Sequence, residues 1–188
     1  MEEEVLKSRV KQGDPEAEYD LAFFYYQRGK YQETVKCFEE IICKPNHPRY
    51  RQSVNNLAEI CEYDKYPGRS EEKNLDEAVR LFNIAIASWF AKFHLSLIYS
   101  ENKYDKYNPI EGKKMLDDAL TKLVHDDGND NYLRQIECLR IGKIYRNVND
   151  IRRAKDYLQK AMDRCNTNYA DERSIKEEAK RILQEISF

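Results

Sequence analysis

Few residues in this chain have the types and spacing that catalysis or metal binding requires. The three histidines are His47, His94 and His125; none lies four residues from another, and none belongs to an H-E-x-x-H motif. Carboxylates are abundant, but runs such as residues 2–4 and 177–178 are typical of solvated faces. We therefore predict no catalytic residue, no metal site, no cofactor and no small-molecule substrate.

Phosphate loops and reactive cysteine motifs are also missing from the sequence. The Gly-Lys-Lys segment at residues 112–114 resembles the end of a P-loop, but no glycine lies five residues earlier and no serine or threonine follows the lysines. The cysteines are odd in number and form no C-x-x-C pair, so we expect free thiols packed as small hydrophobic residues. They are Cys37, Cys43, Cys61, Cys138 and Cys165.

Charge and hydropathy limit the classes of partner. The 188 residues include 32 basic and 34 acidic side chains, and this net charge of -2 indicates no general attraction to nucleic acid or membranes. The longest unbroken apolar run, at residues 21–26, has six residues, whereas a membrane helix needs about 20. The acidic start at residues 2–4 does not resemble a secretory signal. We expect a cytoplasmic protein with no membrane partner.

A repeated pattern of small and large residues extends along the chain. Its first half has a large apolar residue, a small residue, two variable residues and usually an aromatic one. The small residues recur at intervals of 36, 38 and 46, at Ala22, Ala58, Ser96 and Gly142. The second half begins at Thr34, Ala78, Gly112 and Ala154, with apolar residues four and seven positions later. Such steps of three and four place the side chains on one helical face.

The repeat predicts pairs of antiparallel helices, because two helices approach closely only where their side chains are small. One pair cannot bury its own apolar face, so the pairs must stack. The predicted fold is an all-α solenoid with flanking terminal helices, forming one domain over residues 1–188. Its four repeats would cover 14–46, 49–87, 89–124 and 131–165, followed by a capping helix at 171–186. The ten predicted helices are 2–12, 15–28, 31–43, 49–63, 74–87, 89–101, 109–124, 131–147, 150–165 and 171–186.

Three helix starts carry recognisable capping residues. Asp14, followed by proline and glutamate, predicts the start of the second helix. Either Asn74 or Asp76 could cap the fifth helix, and either Asn149 or Asp150 could cap the ninth.

Two of the repeats resemble a known family. Residues 12–26, which read QGDPEAxYxLAxxYY, resemble the start of a Sel-one-like repeat, a tetratricopeptide-repeat variant with longer and variable loops. The fourth repeat, with Gly142 and Tyr145 followed by Ala154 and Leu158, resembles a plain tetratricopeptide repeat. The resemblance covers about residues 12–165. It implies a helical solenoid, and members of the family are mostly scaffolds, adaptors or binding proteins without chemistry of their own.

The resemblance also implies that the first helix of each pair lines a concave groove. The predicted partner-binding residues are Tyr19, Phe23, Tyr26, Asn56, Glu59, Phe93, His94, Arg140, Lys143 and Arg146. The other predicted groove positions are Asp20, Asn55, Glu62, Phe90 and Leu97. Core packing is the alternative role for the aromatic residues. The run at residues 23–26 covers more than one helix face, so some of its rings must face outward.

Charge is unevenly distributed between the two halves of the repeat region. Residues 14–77 contain 14 acids and nine bases, whereas residues 134–164 contain nine bases and four acids. Steps of three place Arg140, Lys143 and Arg146 in one stripe, which could meet an acidic protein surface or phosphates. The leading hypothesis is a non-enzymatic module that binds a peptide or folded protein in the groove, with an inhibitor or immunity-type protein as a narrower form. The alternative is a nucleic-acid-binding helical-repeat protein that uses the basic stripe.

Overall fold

The computed structural model describes residues 2–102, 105, 107–127, 133–165 and 170–186. Within these ranges the chain forms ten α-helices and no β-strand, which confirms the all-α class. The helices are α1 (Glu2–Lys11), α2 (Pro15–Gln27), α3 (Tyr31–Ile42), α4 (Tyr50–Glu62), α5 (Glu71–Ile84), α6 (Trp89–Ser100), α7 (Pro109–Asp127), α8 (Gln135–Asn147), α9 (Ile151–Asp163) and α10 (Ala170–Glu185). Each begins and ends within four residues of its predicted bounds. The predicted start of the eighth helix, at 131–132, lies outside the described residues.

Two compact units divide the chain, and each is considered by itself. Unit 1 is Met1–Ala91 and unit 2 is Lys92–Phe188. Within unit 1, each of the helices α1 to α4 packs against the next helix along the chain. Within unit 2, α7 packs against α8, and α8, α9 and α10 pack against one another. Neighbouring helices therefore pack in pairs, as the repeat predicts.

The predicted N-caps of α2 and α9 are confirmed. The Asp14 carboxylate accepts hydrogen bonds from the backbone N–H groups of Glu16 and Ala17, at 3.0 and 3.3 Å. The Asp150 carboxylate accepts one from the backbone N–H of Arg153, at 3.2 Å. These three bonds satisfy N–H groups that have no partner within the first turn of their helix.

The prediction of Asn74 or Asp76 as the cap of α5 is wrong. The cap is Ser70, whose hydroxyl accepts a hydrogen bond from the backbone N–H of Lys73 at 3.4 Å, so α5 begins three residues earlier than predicted. Asn74 lies inside the helix and is buried. Its amide donates to the Asp64 carboxylate at 2.6 Å, which ties α5 to the turn after α4.

Glycine permits close helix packing at two positions in unit 2. A Cβ atom on Gly142 would lie 2.7 Å from Cγ of Leu158, across the contact between α8 and α9. A Cβ atom on Gly112 would lie 3.0 Å from the backbone carbonyl oxygen of Ser96 on α6. The predicted close contact at Gly142 is confirmed, because no larger side chain fits without displacing its neighbour.

A partly buried hydrogen-bond network connects α7, α8 and α9. The buried Tyr145 hydroxyl donates to Asp117 Oδ1 at 2.6 Å, and Arg153 donates to the same oxygen at 2.7 Å. Lys113 donates to the other carboxylate oxygen of Asp117, also at 2.6 Å. Burial raises the pKa of Asp117, but hydrogen bonds from Lys113 and Tyr145 outweigh it, and the net pKa is lowered.

We expect this network to weaken in acid. A carboxylate whose pKa is lower in the folded state contributes stability above its unfolded pKa, near 3.9, and loses that contribution as the pH falls through the folded value. The stability difference between the parent protein and Asp117→Asn should therefore shrink below about pH 4. Urea unfolding at a series of pH values measures it. Asp156→Asn, at an exposed position of α9, controls for the loss of one acid. If the difference in free energy of unfolding between the parent and Asp117→Asn stayed unchanged down to pH 3, the ionised Asp117 carboxylate would not stabilise the fold.

Candidate partner-binding site

Helices α2 and α4 of unit 1 lie side by side and run in the same direction. Three side-chain pairs connect them, and the order of the pairs is the same along both segments. The pairs are Glu16 with Arg49 (2.7 Å hydrogen bond), Tyr19 with Asn56 (2.9 Å hydrogen bond) and Tyr26 with Lys65 (ammonium 5.9 Å from the ring centre). Two adjacent parallel helices are what the repeat predicts for the first helices of successive pairs.

Tyr19 and Asn56, both predicted as binding residues, are brought together at this junction. The Asn56 amide donates to the Tyr19 hydroxyl, and both side chains are half-buried. One side of the Tyr19 ring packs against the core residue Phe38, with ring centres 5.9 Å apart. Tyr19 therefore packs on the core and also reaches the surface.

Phe23 and Tyr26 form an aromatic pair one and two turns further along α2, with Phe23 exposed and Tyr26 half-buried. The Phe23 side chain is 42% exposed and stacks on Tyr26, with ring centres 6.2 Å apart. Tyr26 in turn makes an edge contact with Tyr31 at 6.0 Å, across the tight turn between α2 and α3. The Lys65 ammonium lies 5.3 Å from the centre of the Tyr31 ring. We call Phe23, Tyr26, Tyr31 and Lys65 the ring cluster.

Acidic side chains flank the ring cluster on both helices. The connecting pairs on either side of Phe23 are 37 and 39 residues apart, so the position of α4 level with Phe23 is near residue 61, between Glu59 and Glu62. Asp20, exposed on α2, precedes Phe23 by three residues and so is its neighbour on the helix surface. Together these residues define the α2–α4 face, which comprises Tyr19, Asp20, Phe23, Tyr26, Asn56, Glu59 and Glu62.

Phe93 and His94 do not lie at the surface, which corrects the expectation that they line an open groove. Phe93 is 1% exposed and His94 is fully buried, and their rings meet edge to face at 5.3 Å. Along α6, every residue from Phe93 to Ile98 is buried. Six consecutive residues go round the whole circumference of a helix, so this segment of α6 presents no exposed face.

The basic stripe follows one face of α8, but carboxylates of the same chain meet all three of its cations. Two of the three partners lie on α10, which packs against α8. The ion pairs are Arg140 with Glu101 at 2.5 Å, Lys143 with Glu178 at 2.8 Å and Arg146 with Glu185 at 3.3 Å. The stripe therefore helps to hold α10 on α8, a role that the spacing of the basic residues alone did not reveal.

Three contributors to the candidate site were not predicted from the sequence. Arg49 lies 5.5 Å from the Tyr19 ring, and Tyr31 and Lys65 complete the ring cluster. A signal for Tyr31 was present: the tight turn at Gly29 folds the start of α3 back beside the end of α2. Lys65 follows the end of α4. Its proximity to the rings of Tyr26 and Tyr31 can be inferred only once α2 and α4 are known to run in parallel.

The other features of the described residues that could bear chemistry are possible metal ligands and cysteine thiols. Within it, no cluster of three or more His, Cys, Asp or Glu residues could hold a metal ion. All five cysteines are free thiols. Burial raises the pKa of Cys37 to about 11 and that of Cys61 to about 12, so both thiols stay protonated and unreactive at neutral pH. No helix in the described ranges has the length and apolar character needed to cross a membrane.

Comparison with known proteins finds no match to this chain among protein families, curated proteins or solved structures. The resemblance to Sel-one-like and tetratricopeptide repeats therefore stays a prediction, based on the residues quoted for it.

Proposed function

We propose that the chain is a non-enzymatic protein-binding module, a solenoid of antiparallel helix pairs that holds a peptide or protein on the α2–α4 face. The observation that carries the proposal is the exposed stack of Phe23 on Tyr26, at the surface shared by two adjacent parallel helices. An adaptor, an inhibitor or an immunity-type protein would use such a face in the same way.

The α2–α4 face has the physical features of a binding hot spot. Aromatic rings offer a large contact area and lose little conformational entropy when a partner covers them. Here Tyr26 and Tyr31 already hold one another in place, so the rings are partly ordered before any partner arrives. The polar groups of Asn56 and Glu59 border the rings, as a polar rim borders the apolar centre of many interfaces.

Nucleic-acid binding by the basic stripe has less support. Each cation of the stripe lies within 3.3 Å of a carboxylate oxygen of the same chain. A phosphate backbone would have to displace these carboxylates, and it would gain little net attraction from cations that are already paired.

Selection of displayed random peptides on the immobilised protein tests the proposal. We expect enriched peptides, and we expect Phe23→Ala with Tyr26→Ala to weaken their binding by about 2 kcal/mol or more, roughly thirtyfold in Kd. Titration of synthetic copies of those peptides measures this loss. Because Phe23 is exposed and Tyr26 half-buried, we expect the double variant to keep its helical circular dichroism spectrum.

The matched control removes exposed apolar side chains from unit 2. Ile110 is 79% exposed and Val124 is 50% exposed, and both lie on α7. Ile110→Ala with Val124→Ala should bind the selected peptides as the parent does. Equal binding by the parent and by the Phe23 and Tyr26 double variant would show that the peptides dock elsewhere and would overturn the proposal.

A further inference from the structure

Cations of the chain itself already contact the aromatic rings at both ends of the α2–α4 face. The Arg49 guanidinium lies 5.5 Å from the Tyr19 ring centre, and the Lys65 ammonium lies 5.9 Å from that of Tyr26. Both distances fall within the range of a cation–π attraction. Between these two ends lies Phe23, the most exposed ring of the ring cluster.

Carboxylates flank Phe23 from both helices. Asp20 is its neighbour on α2, and on α4 the position level with Phe23 lies between Glu59 and Glu62, each within one turn of it. The sequence around the face is also acidic, with 14 acids and nine bases between residues 14 and 77. A ring face bordered by carboxylates is complementary to a group that is both cationic and flat or apolar.

We infer that the α2–α4 face recognises a basic peptide segment. An arginine or lysine of that segment lies over the Phe23 ring and pairs with Asp20 and Glu59. This inference rests on the proposed function and names the chemistry of the partner. Arginine suits the site better than lysine, because a planar guanidinium stacks on a ring while its edge donates hydrogen bonds to carboxylates.

Lys65 then limits the affinity of the same face. Its ammonium lies near the Tyr26 and Tyr31 rings and repels an incoming cation. The substitution Lys65→Ala would remove this ammonium from both rings and would remove one positive charge from the surface. An acidic peptide or a phosphate chain would instead meet Asp20, Glu59 and Glu62, and would be repelled by them.

Fluorescence anisotropy with three labelled twelve-residue peptides tests the inference. In the first peptide arginine alternates with serine; in the second, citrulline replaces arginine and keeps its shape without its charge; in the third, glutamate replaces arginine. We expect the arginine peptide to bind about tenfold or more tightly than the citrulline peptide, and the glutamate peptide not to bind. Lys65→Ala should tighten arginine-peptide binding about threefold.

Variants of the face distinguish local recognition from general charge attraction. Asp20→Asn with Glu59→Gln should weaken arginine-peptide binding about tenfold at low salt. The matched control, Glu71→Gln with Glu72→Gln, removes two exposed carboxylates from the start of α5 and should change binding less than twofold. Equal losses in the two double variants would show non-specific attraction and would overturn the inference.

The two proposals fail in different ways. Selected peptides that need Phe23 and Tyr26 but contain no basic residue would overturn the inference and leave the proposed function standing. Preference for the glutamate peptide would likewise overturn only the inference. Failure of every displayed and synthetic peptide to bind the α2–α4 face would overturn both.

Discussion

Gly142→Leu should lower the free energy of unfolding by about 1–3 kcal/mol, because the new side chain overpacks the contact between α8 and α9. Even a single added carbon would lie 2.7 Å from Cγ of Leu158, and the backbone nitrogen of that residue is 3.3 Å away. Helix propensity alone favours leucine over glycine by about several tenths of a kcal/mol or more, so it predicts that Gly142→Leu would raise the free energy of unfolding. Urea unfolding followed by circular dichroism measures the change.

Gln159→Leu is the matched substitution for this experiment. It adds a leucine to an exposed position of α9, where the added side chain meets no packed neighbour. We expect its free energy of unfolding to stay within about 0.5 kcal/mol of the parent value. If Gly142→Leu were as stable as the parent, the two helices would not be closely packed at this point.

Asp117→Ala should destabilise the protein by about 1–3 kcal/mol at neutral pH, because it leaves the buried Tyr145 hydroxyl without its acceptor. The same change removes the anion to which Lys113 and Arg153 both donate. The network joins three helices, so the loss should appear in the unfolding of unit 2. Thermal and urea unfolding, compared with Asp156→Ala, measure it.

A second substitution separates a lost hydrogen bond from general disruption. Tyr145→Phe removes the hydroxyl that Asp117→Ala leaves unsatisfied, while the ring keeps its stacking contact with Tyr157. Tyr145→Phe should therefore lower the free energy of unfolding less in the Asp117→Ala background than in the parent protein. Strictly additive losses would show that the two groups do not interact.

The sequence predicted the helices well, because their signals are local. Small residues recur where helices touch, apolar residues recur every three or four positions, and caps such as Asp14 need only their immediate neighbours. The start of α5 was misplaced because two capping residues competed: Ser70 and Asn74 are both suitable, and the buried bond of Asn74 to Asp64 decided between them.

The candidate site was only partly predictable, because its contacts join distant parts of the chain. Tyr19 and Asn56 were predicted to share a groove, and they form a hydrogen bond. Phe93 was misassigned because the pattern that marks a groove position also marks a core position, and residues 93–98 of α6 are all buried. The stripe on α8 was read as a partner surface, since nothing local indicates that α10 returns to pair with it.

The most direct test of the α2–α4 face is residue-resolved nuclear magnetic resonance of the isotope-labelled protein, titrated with a peptide selected for binding. We expect the backbone amides that shift most to lie between residues 19 and 31 and between 55 and 65, with the Phe23 and Tyr26 ring signals shifting alongside them. The amides of α9 and α10 should stay unchanged. Shifts concentrated on α8 to α10, with α2 and α4 unaffected, would contradict the account and place the binding surface in unit 2.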